Sequence, residues 1–464
     1  MIDQQTICAI STAQGMGAIA VLRLSGFKAI EIVERVFHPV KEGKKLSEQK
    51  GNTLHFGRIV NNDQVIDEVI VSLFRAPRSF TGEDSVEIAC HGSVYIQQNI
   101  LQLLLDNGAR LARPGEFTQR AFLNGKMDLA QAEAVADLIA ASSKAAHHVA
   151  LKQMRGGISS EIKNLRNELL TFTTLVELEL DFSEEDVEFA NREQLLLLSQ
   201  KINQLISQLA NSFQYGNAIK NGIPVAIIGD TNVGKSTLLN ALLNEERAIV
   251  SDIAGTTRDV IEDVMIIEGI QFRFIDTAGI RTTIDTIENL GIERTYQKIE
   301  QASVVLTMID ASRSFNEIVM FLTSMSEKLH KKQTALVINK TDMASPEAID
   351  ELQSMGREME FPTLLISAKK RENIDHLLDY LVAAVDTQGY SESDVIVTNL
   401  RHYESLQHAN RAIERVIEAI PLGTSGDLLS QDIRECLYYL GEITGEISTD
   451  EILGNIFKNF CIGK

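Results

Sequence analysis

Eight residues near the middle of the chain form a loop suited to holding phosphate groups. Residues 229–236 read G-D-T-N-V-G-K-S and match the pattern G-x-x-x-x-G-K-[ST] in full. The glycines let the backbone curve closely, so that successive N–H groups face phosphate oxygens. Lys235 supplies a positive charge for the β- and γ-phosphates, and the Ser236 hydroxyl is a Mg²⁺ ligand.

The flanking sequence predicts the strand and the helix that such a loop needs. The apolar run 225–228 predicts a buried strand, and leucines at 238, 239, 242 and 243 predict a helix from Ser236 onward. The phosphates would therefore lie at a helix N-terminus. The predicted contacts of this segment with the nucleotide are Asn232, Val233, Gly234, Lys235, Ser236 and Thr237.

Three further motifs follow, each directly after a predicted strand. They are Asp276-Thr277-Ala278-Gly279, Asn339-Lys340-Thr341-Asp342 and Ser367-Ala368-Lys369. Open α/β sheets bind ligands at the carboxyl ends of their parallel strands. The Asp342 carboxylate can accept hydrogen bonds from guanine N1–H and the N2 amino group together, a donor pair that adenine lacks. The motifs thus predict an α/β GTPase domain over residues 217–383.

The same motifs indicate how the metal and the attacking water are arranged. Asp276 is expected near the metal, and the Gly279 N–H is expected to meet the γ-phosphate. Thr257, in the segment between the first and third motifs, is the expected second Mg²⁺ ligand. Small signalling GTPases carry a water-orienting Gln after D-T-A-G, but Ile280 stands there and cannot polarise water. The domain must supply this function from elsewhere or hydrolyse poorly.

Length and composition restrict the class of protein. The 464 residues suggest about three domains, and 44% hydrophobic and 23% charged residues are ordinary globular values. No apolar run approaches the ~18 residues of a membrane span, and Met1–Gln5 resembles no signal peptide. The four cysteines form no C-x-x-C pair. We therefore expect a cytoplasmic protein. Its net charge of −20 excludes diffuse attraction to nucleic acid.

The regions on either side of the GTPase motifs differ in their periodicity. Residues 68–74 and 85–90 have the alternating or apolar character of strands, so residues 1–118 are predicted to be mixed α+β. Helical spacing covers 130–175, with an interruption near Gly156-Gly157, and also 195–213 and 400–440. Helices therefore flank an α/β module.

Several segments together resemble one family along essentially the whole chain. They are V-L-R-L-S-G (21–26), S-F-T-G-E-D (79–84), R-P-G-E-F (113–117), Asn232, S-D-I-A-G-T-T-R-D (251–259), D-T-A-G-I-R (276–281) and F-C-I-G-K (460–464). The sequence is similar to the MnmE (TrmE) family of tRNA modification GTPases. This resemblance implies that the GTPase domain is inserted into one helical domain, formed by 119–216 and 384–464. It also implies that residues 1–118 form a folate-binding and dimerisation domain.

The resemblance assigns an ion and an acid to the GTPase reaction. In the family a K⁺ ion takes the place of an arginine finger and neutralises charge that grows in the transition state. The matching K⁺ ligands here are Asn232, Ser251, Ile253 and Thr256, and Ser251, Thr256 and Thr257 also contact GTP. The family's water-orienting acid corresponds to Glu288.

A second site is implied for a reduced folate, either 5-formyltetrahydrofolate or 5,10-methylenetetrahydrofolate. The residues that match its contacts are Arg23, Glu87, Lys126 and Lys464. Glu87 would accept from the donor edge of the pterin, and the basic side chains would meet the glutamate tail. Cys461, in the Cys-x-Gly-Lys tail, is implied as a catalytic or positioning thiol.

The implied function is K⁺-stimulated GTP hydrolysis coupled to C5 modification of the tRNA wobble uridine. The implied assembly is a homodimer that forms a heterotetramer with the FAD-dependent protein MnmG (GidA). Two other functions are compatible with the GTPase motifs. One is a GTP-switched ribosome assembly factor, and the other is a stand-alone folate-dependent transferase with a regulatory GTPase domain.

Overall fold

The computed structural model describes residues 5–41, 43–181, 192–245, 248–250, 263–275, 296–384, 395–458, 460 and 463. The chain forms two compact units. The first comprises residues up to 139, 153–200 and 411–464, and the second comprises 140–152 and 201–410.

The first unit contains a seven-stranded sheet in the order β3-β4-β5-β6-β2-β1-β7. Its strands are β1 (Ile7–Ile10), β2 (Ile19–Ser25), β3 (Phe37–Pro39), β4 (Thr53–Asn61), β5 (Gln64–Phe74), β6 (Ser85–His91) and β7 (Arg110–Leu111). Neighbouring strands are antiparallel except for β1 and β7. The strands predicted at 68–74 and 85–90 are confirmed within β5 and β6.

One face of this sheet is covered and the other is open. Buried and exposed residues alternate along β4, as in a strand with one solvated face. Helices α1 (Ala29–Val36) and α2 (Val94–Asp106) pack on the covered face. The open face carries Leu54, Phe56 and Ile70, which are 69%, 54% and 45% exposed.

A buried ion-pair network joins helix α3 (Glu116–Leu123) to this sheet. The Glu116 carboxylate accepts hydrogen bonds from Arg110 at 2.6 and 3.0 Å, Arg120 at 3.1 Å and the Arg113 N–H at 2.9 Å. Arg120 is 2% exposed and also pairs with Glu83. Burial alone would raise the pKa of Glu116, but these hydrogen bonds and the charge of Arg110 lower it to about 2.

The predicted helical regions are confirmed, with more breaks than the periodicity indicated. The helices are α4 (Leu129–Ala140), α5 (Lys144–Met154), α6 (Gly157–Asp181), α7 (Arg192–Asn211), α13 (Leu400–Ala419), α14 (Gly426–Thr444) and α15 (Asp450–Phe457). Gly156 (φ +92°) lies at the predicted interruption. A 3₁₀ turn, Ile420–Leu422, divides the region predicted as one helix at 400–440. Within the first unit, α6 packs along α14.

The second unit contains a sheet in the order β14-β13-β12-β8-β11-β10-β9. Its strands are β8 (Ile223–Ile228), β9 (Ala248–Val250), β10 (Asp263–Ile267), β11 (Ile270–Phe274), β12 (Val304–Asp310), β13 (Gln333–Asn339) and β14 (Thr363–Leu365). The five strands from β14 to β11 are parallel to one another. Strand β10 is antiparallel to β11 and β9.

Helices cover both faces of this second sheet. They are α9 (Lys235–Leu243) and α12 (Ile374–Ala383) on one face and α10 (Phe315–Leu329) and α11 (Pro346–Glu358) on the other. Helix α8 (Phe213–Asn221) leads into β8. The predicted α/β class and the strands before the motifs are confirmed. Strands β8, β12 and β13 end at the same edge, because they are parallel.

Among the residues that the structure describes, none of the helices combines the length and apolar character needed to cross a lipid bilayer. The domain boundaries at 118, 216 and 383 remain predictions.

Candidate nucleotide-binding site

The phosphate loop connects β8 to α9 in a conformation that requires glycine at two positions. Gly229 (φ +150°) lies against β12, where an added Cβ would be 2.4 Å from the Met308 carbonyl oxygen. Gly234 (φ +103°) would place a Cβ 2.4 Å from Asn339 Nδ2. The predicted helix is confirmed, and α9 begins at Lys235, one residue before the predicted start at Ser236. The loop therefore passes close to the ends of both β12 and β13.

The side chains of the loop differ in what they offer a ligand. Val233 is 2% exposed, so only its backbone is available. The Lys235 ammonium donates to the carbonyls of Gly229 at 2.8 Å and Asp230 at 2.7 Å. Burial lowers the pKa of Lys235, and the nearby charge of Lys298 lowers it further. The Lys235 side chain thus extends back to the start of the loop, where these two carbonyls hold its ammonium group. Asn232 has left-handed backbone (φ +63°) and is exposed.

Asn339 links the phosphate loop to the S-A-K motif. It is 3% exposed. Its Nδ2 donates to the Val233 carbonyl at 2.8 Å, and its Oδ1 accepts from the Ala368 N–H at 3.0 Å. A single buried amide thereby fixes the two predicted contact regions relative to each other. Lys369, the next residue of the S-A-K motif, is exposed.

Asp342 is kept ionised by its neighbours. Its Oδ1 accepts from the Ser367 hydroxyl at 2.8 Å, and Lys370 Nζ lies 3.6 Å from its Oδ2. The hydrogen bond from Ser367, followed by the charge of Lys370, lowers the pKa of Asp342. An ionised carboxylate held by a second side chain suits a ligand with two adjacent N–H donors.

Two residues at the end of β12 belong to this region but were not singled out from the sequence. Asp310 is 5% exposed and accepts from Lys340 Nζ at 2.6 Å. Burial would raise the pKa of Asp310, but the bonds from Lys340 and Ser312 outweigh it and lower the pKa. Arg313 pairs with Asp230 and donates to the Thr231 carbonyl at 2.5 Å. The D-A-S-R segment at the end of this buried strand does not by itself indicate which loop Arg313 contacts.

Several predicted site residues lie outside the described residues. They are Ser251, Ile253, Thr256, Thr257, Asp276, Thr277, Ala278, Gly279, Glu288, Cys461 and Lys464.

In the first unit, the structure brings two of the predicted folate residues together. Arg23 on β2 and Glu87 on β6 are opposite each other in register, and their side chains form an ion pair at 2.7 Å. The rings of Phe80 and Phe117 lie 5.4 and 5.8 Å from the Arg23 guanidinium. Lys126 is engaged elsewhere, because its Nζ donates to the Pro77 carbonyl at 2.9 Å.

The described residues of the C-terminal tail pack on the first unit. An added Cβ on Gly115 would be 2.7 Å from the Phe457 carbonyl oxygen and 2.9 Å from Phe460 Cβ. The Ser11 hydroxyl donates to the Gly463 carbonyl at 3.1 Å. The tail therefore runs beside the end of β1, whose Ala9 pairs with Arg23.

Two family models match the chain. The model of the MnmE helical domain matches residues 129–461, and the model of the GTP-binding protein TrmE N-terminus matches residues 6–126.

Relatives align with this sequence from end to end. The tRNA modification GTPase MnmE of Bacteroides fragilis is 59% identical over 465 residues, covering 100% of both chains. The protein of that name from Bacteroides thetaiotaomicron is 58% identical over 467 residues, with the same coverage. A crystal structure of Aquifex aeolicus Era bound to GDP and aluminium fluoride is 30% identical and covers 41% of this chain and 66% of that one. Its TM-score of 0.28 is too low to add to the fold argument. With one family model spanning most of the sequence and relatives matching its full length, the chain belongs to the MnmE family of tRNA modification GTPases.

Proposed function

We propose that this protein hydrolyses GTP in the course of tRNA modification, in which a carboxymethylaminomethyl or aminomethyl group is added at C5 of the wobble uridine. One observation carries the proposal. The phosphate loop, Asn339 and Asp342 meet at one edge of a parallel sheet, in a chain 59% identical to a tRNA modification GTPase.

Guanine selection rests on Asp342 in this proposal. Its carboxylate is ionised at neutral pH, since the Ser367 hydroxyl and then the Lys370 charge lower its pKa. It would accept from N1–H and the N2 amino group of guanine, whereas the corresponding edge of adenine would leave it without donors. Lys235, desolvated and already bonded to carbonyl oxygens, would exchange those partners for β- and γ-phosphate oxygens.

In the phosphate loop, the side-chain oxygens of Ser236 and Asn232 suit the two cations that the family implies. Mg²⁺ would be held by the Ser236 and Thr257 hydroxyls. K⁺ would be held by Asn232, Ser251, Ile253 and Thr256, and the side-chain oxygen of the exposed Asn232 is a hard ligand within the loop. When bound, the cations would neutralise charge on the phosphates. Since Ile280 cannot polarise water, we assign the orientation of water to Glu288.

The cation assignment is tested by comparing GTP hydrolysis in KCl and NaCl. We expect faster turnover in KCl, and we expect Asn232→Ala to remove the difference while GDP still binds. Asn240→Ala, on the exposed face of α9, is the matched control and should retain the K⁺ effect. Equal rates of the wild type in both salts would refute the K⁺ site. An active Glu288→Ala variant would refute the role of that residue.

We further propose that the first unit binds a reduced folate through Arg23, Glu87, Lys126 and Lys464. The Arg23–Glu87 pair lies on the open sheet face, and the exposed ring of Phe80 beside it offers a stacking surface to a pterin. The pair would separate to meet the ligand, with Glu87 on the pterin edge and Arg23 on the glutamate tail.

The folate proposal has a matched control on the same sheet. Arg58 and Glu68 form a similar ion pair at 3.1 Å on β4 and β5. We expect Glu87→Gln to abolish binding of 5-formyltetrahydrofolate in calorimetry and Glu68→Gln to leave it unchanged. Equal affinity of the Glu87→Gln variant and the wild type would contradict the assignment.

The open face of this sheet also supports a homodimer. Leu54, Phe56 and Ile70 are large, apolar and exposed on adjacent strands, which is a pattern typical of association surfaces. We expect Phe56→Asp to shift the mass measured by sedimentation toward that of a monomer.

The proposed partners are tRNA and the FAD-dependent MnmG, whose flavin would supply the redox chemistry. Cys461 is proposed as a catalytic or positioning thiol. In support, its described neighbours Phe460 and Gly463 lie beside Gly115 and Ser11. The GTPase domain is proposed to be an insertion in the helical domain.

The decisive experiment is nucleoside analysis of tRNA from a deletion strain that carries the wild type or Asp342→Ala. We expect the C5-modified wobble uridine to be absent in the deletion strain and restored only by the wild type. Unaltered wobble uridines, together with defective ribosome profiles, would instead indicate an assembly factor.

A further inference from the structure

Three consecutive carbonyl groups of the phosphate loop are each held by a side chain from outside the loop. Arg313 Nη2 donates to the Thr231 carbonyl at 2.5 Å, Lys340 Nζ to the Asn232 carbonyl at 3.0 Å and Asn339 Nδ2 to the Val233 carbonyl at 2.8 Å. Asn339 is the last residue of β13 and Lys340 follows it, whereas Arg313 comes shortly after β12. Two strand ends thus fix the loop from the same side.

Because peptide groups are planar, the direction of these carbonyl groups also determines where the neighbouring N–H groups point. In a planar trans peptide, the C=O of one residue and the N–H of the next point in opposite directions. Holding the carbonyls of Thr231, Asn232 and Val233 outward therefore turns the N–H groups of residues 232, 233 and 234 to the other side. Successive N–H groups that converge on one side form a concave anion-binding surface.

Arg313 makes a second contact within the phosphate loop. Its guanidinium also pairs with the carboxylate of Asp230, next to Thr231 in the loop. The pKa of Asp230 is lowered: burial opposes this, but the Thr231 N–H, the hydrogen bond and charge of Arg313 and the charge of Lys235 outweigh burial. Asp230 is thus a negative charge within a phosphate-binding loop, and Arg313 offsets it.

The position of Arg313 is itself fixed by a turn at the end of β12. The Arg313 N–H donates to the Asp310 carbonyl at 3.1 Å, and the Ser312 N–H and hydroxyl donate to the Asp310 carboxylate at 3.0 and 2.7 Å. The same carboxylate accepts from Lys340. Asp310 therefore helps to position both residues, Arg313 through the turn and Lys340 through its carboxylate.

We propose that Arg313 is a positioning residue for the phosphates of the nucleotide. It aims the Asn232 N–H into the phosphate-binding surface and cancels the charge of Asp230. It acts on the phosphate end of the site and not on the guanine end, which Asp342 serves. This inference rests on the proposed guanine-nucleotide function and adds a residue that lies outside all four sequence motifs.

The test compares ligands with and without phosphates. Binding of GTP, GDP and guanosine to the full-length chain is measured for the wild type, Arg313→Ala and Arg357→Ala. Arg357, an exposed arginine on α11, is the matched control. We expect Arg313→Ala to weaken GTP and GDP binding about tenfold to a hundredfold, as for a lost charged hydrogen bond. The affinity for guanosine, measured by saturation-transfer NMR, should change by less than about twofold, because guanosine has no phosphate for the loop to bind.

The outcomes separate the alternatives. Equal losses for GTP and guanosine would overturn the proposal, since they indicate general damage to the domain. Unchanged GTP binding would overturn it as well. Failure of the wild type to bind GTP would instead refute the proposed function itself.

A double variant tests how Arg313 acts. If the guanidinium only offsets a charge, adding Asp230→Asn to Arg313→Ala should restore GDP affinity fully, and this result would overturn the orienting role. We expect partial recovery, because the Thr231 carbonyl would still lack its donor. Arg313→Lys should likewise recover only part of the affinity, since an ammonium cannot match the planar fork of two donors.

Discussion

Replacing Gly234 with alanine should weaken nucleotide binding without unfolding the GTPase domain. The new Cβ would lie 2.4 Å from Asn339 Nδ2, so that amide must move by about 1 Å to reach ordinary contact distance. The movement disturbs its bonds to Val233 and Ala368 at 2.8 and 3.0 Å, at a cost of about 1–3 kcal/mol. Positive φ adds about 1–2 kcal/mol.

This free-energy cost reduces the affinity for nucleotide more than the stability of the fold. Without nucleotide the loop can relax around the new Cβ, whereas nucleotide binding requires the loop in its present conformation. A total of about 2–5 kcal/mol corresponds to a GDP dissociation constant raised roughly thirtyfold to several thousandfold. The assay is displacement of a fluorescent GDP analogue. Gly269→Ala is the matched control, because Gly269 also has positive φ (+83°) but its nearest neighbour is 3.5 Å away. The reasoning fails if Gly234→Ala binds GDP within about threefold of the wild type, or if both variants lose affinity equally.

Three other outcomes are expected. Asp342→Asn should lose at least about tenfold in GTP affinity and gain affinity for xanthosine triphosphate, whose base presents an acceptor where guanine has its amino group; competition binding measures both. The pKa of Glu116 in the folded chain is about 2, below its ordinary 4.5. Its contribution of about 3 kcal/mol is therefore complete above pH ~4.5 and lost as the pH falls through ~2. Melting temperatures from circular dichroism should thus fall less on acidification for Glu116→Gln than for the wild type, and parallel pH profiles would contradict this. Burial raises the pKa of Cys8 to about 12, of Cys90 to about 11 and of Cys436 to about 12. All three should resist iodoacetamide at pH 8 in mass spectrometry of the folded protein, and rapid labelling of any one would contradict its assigned environment.

The parts of the site that could be predicted are those whose spacing is set by the ligand. A phosphate loop and a base-reading Asp342 must occur in fixed local patterns, so residues 229–236 and 339–342 were identified without a structure. Arg313 was missed because its role depends on where β12 ends relative to β8. A single arginine has no local spacing that reports such a neighbour.

The fold was predictable where periodicity was strong and less so at its breaks. The alternation in β5 and the apolar runs of β8 and β13 matched the observed strands. The division between α13 and α14 was not predicted, although Pro421 and Gly423 are common signals of a helix end. Because apolar residues recur at helical spacing both before Pro421 and after Gly423, the sequence predicted a single helix. The pairing of Arg23 with Glu87 depends on strand register, which no local pattern specifies.

The bond between the Ser11 hydroxyl and the Gly463 carbonyl joins residues 452 positions apart. At ribosomal rates of 5–20 residues per second, roughly 20 to 90 s separate the synthesis of one partner from that of the other. During that interval the tail does not yet lie beside the end of β1, and the backbone there, beyond the pairing of Ile7 and Cys8 with β7, is open to pairing with other strands. We expect a chaperone that acts on nascent chains to bind this segment co-translationally, and a Gly115 substitution, which would displace Phe457 and Phe460, to prolong that dependence.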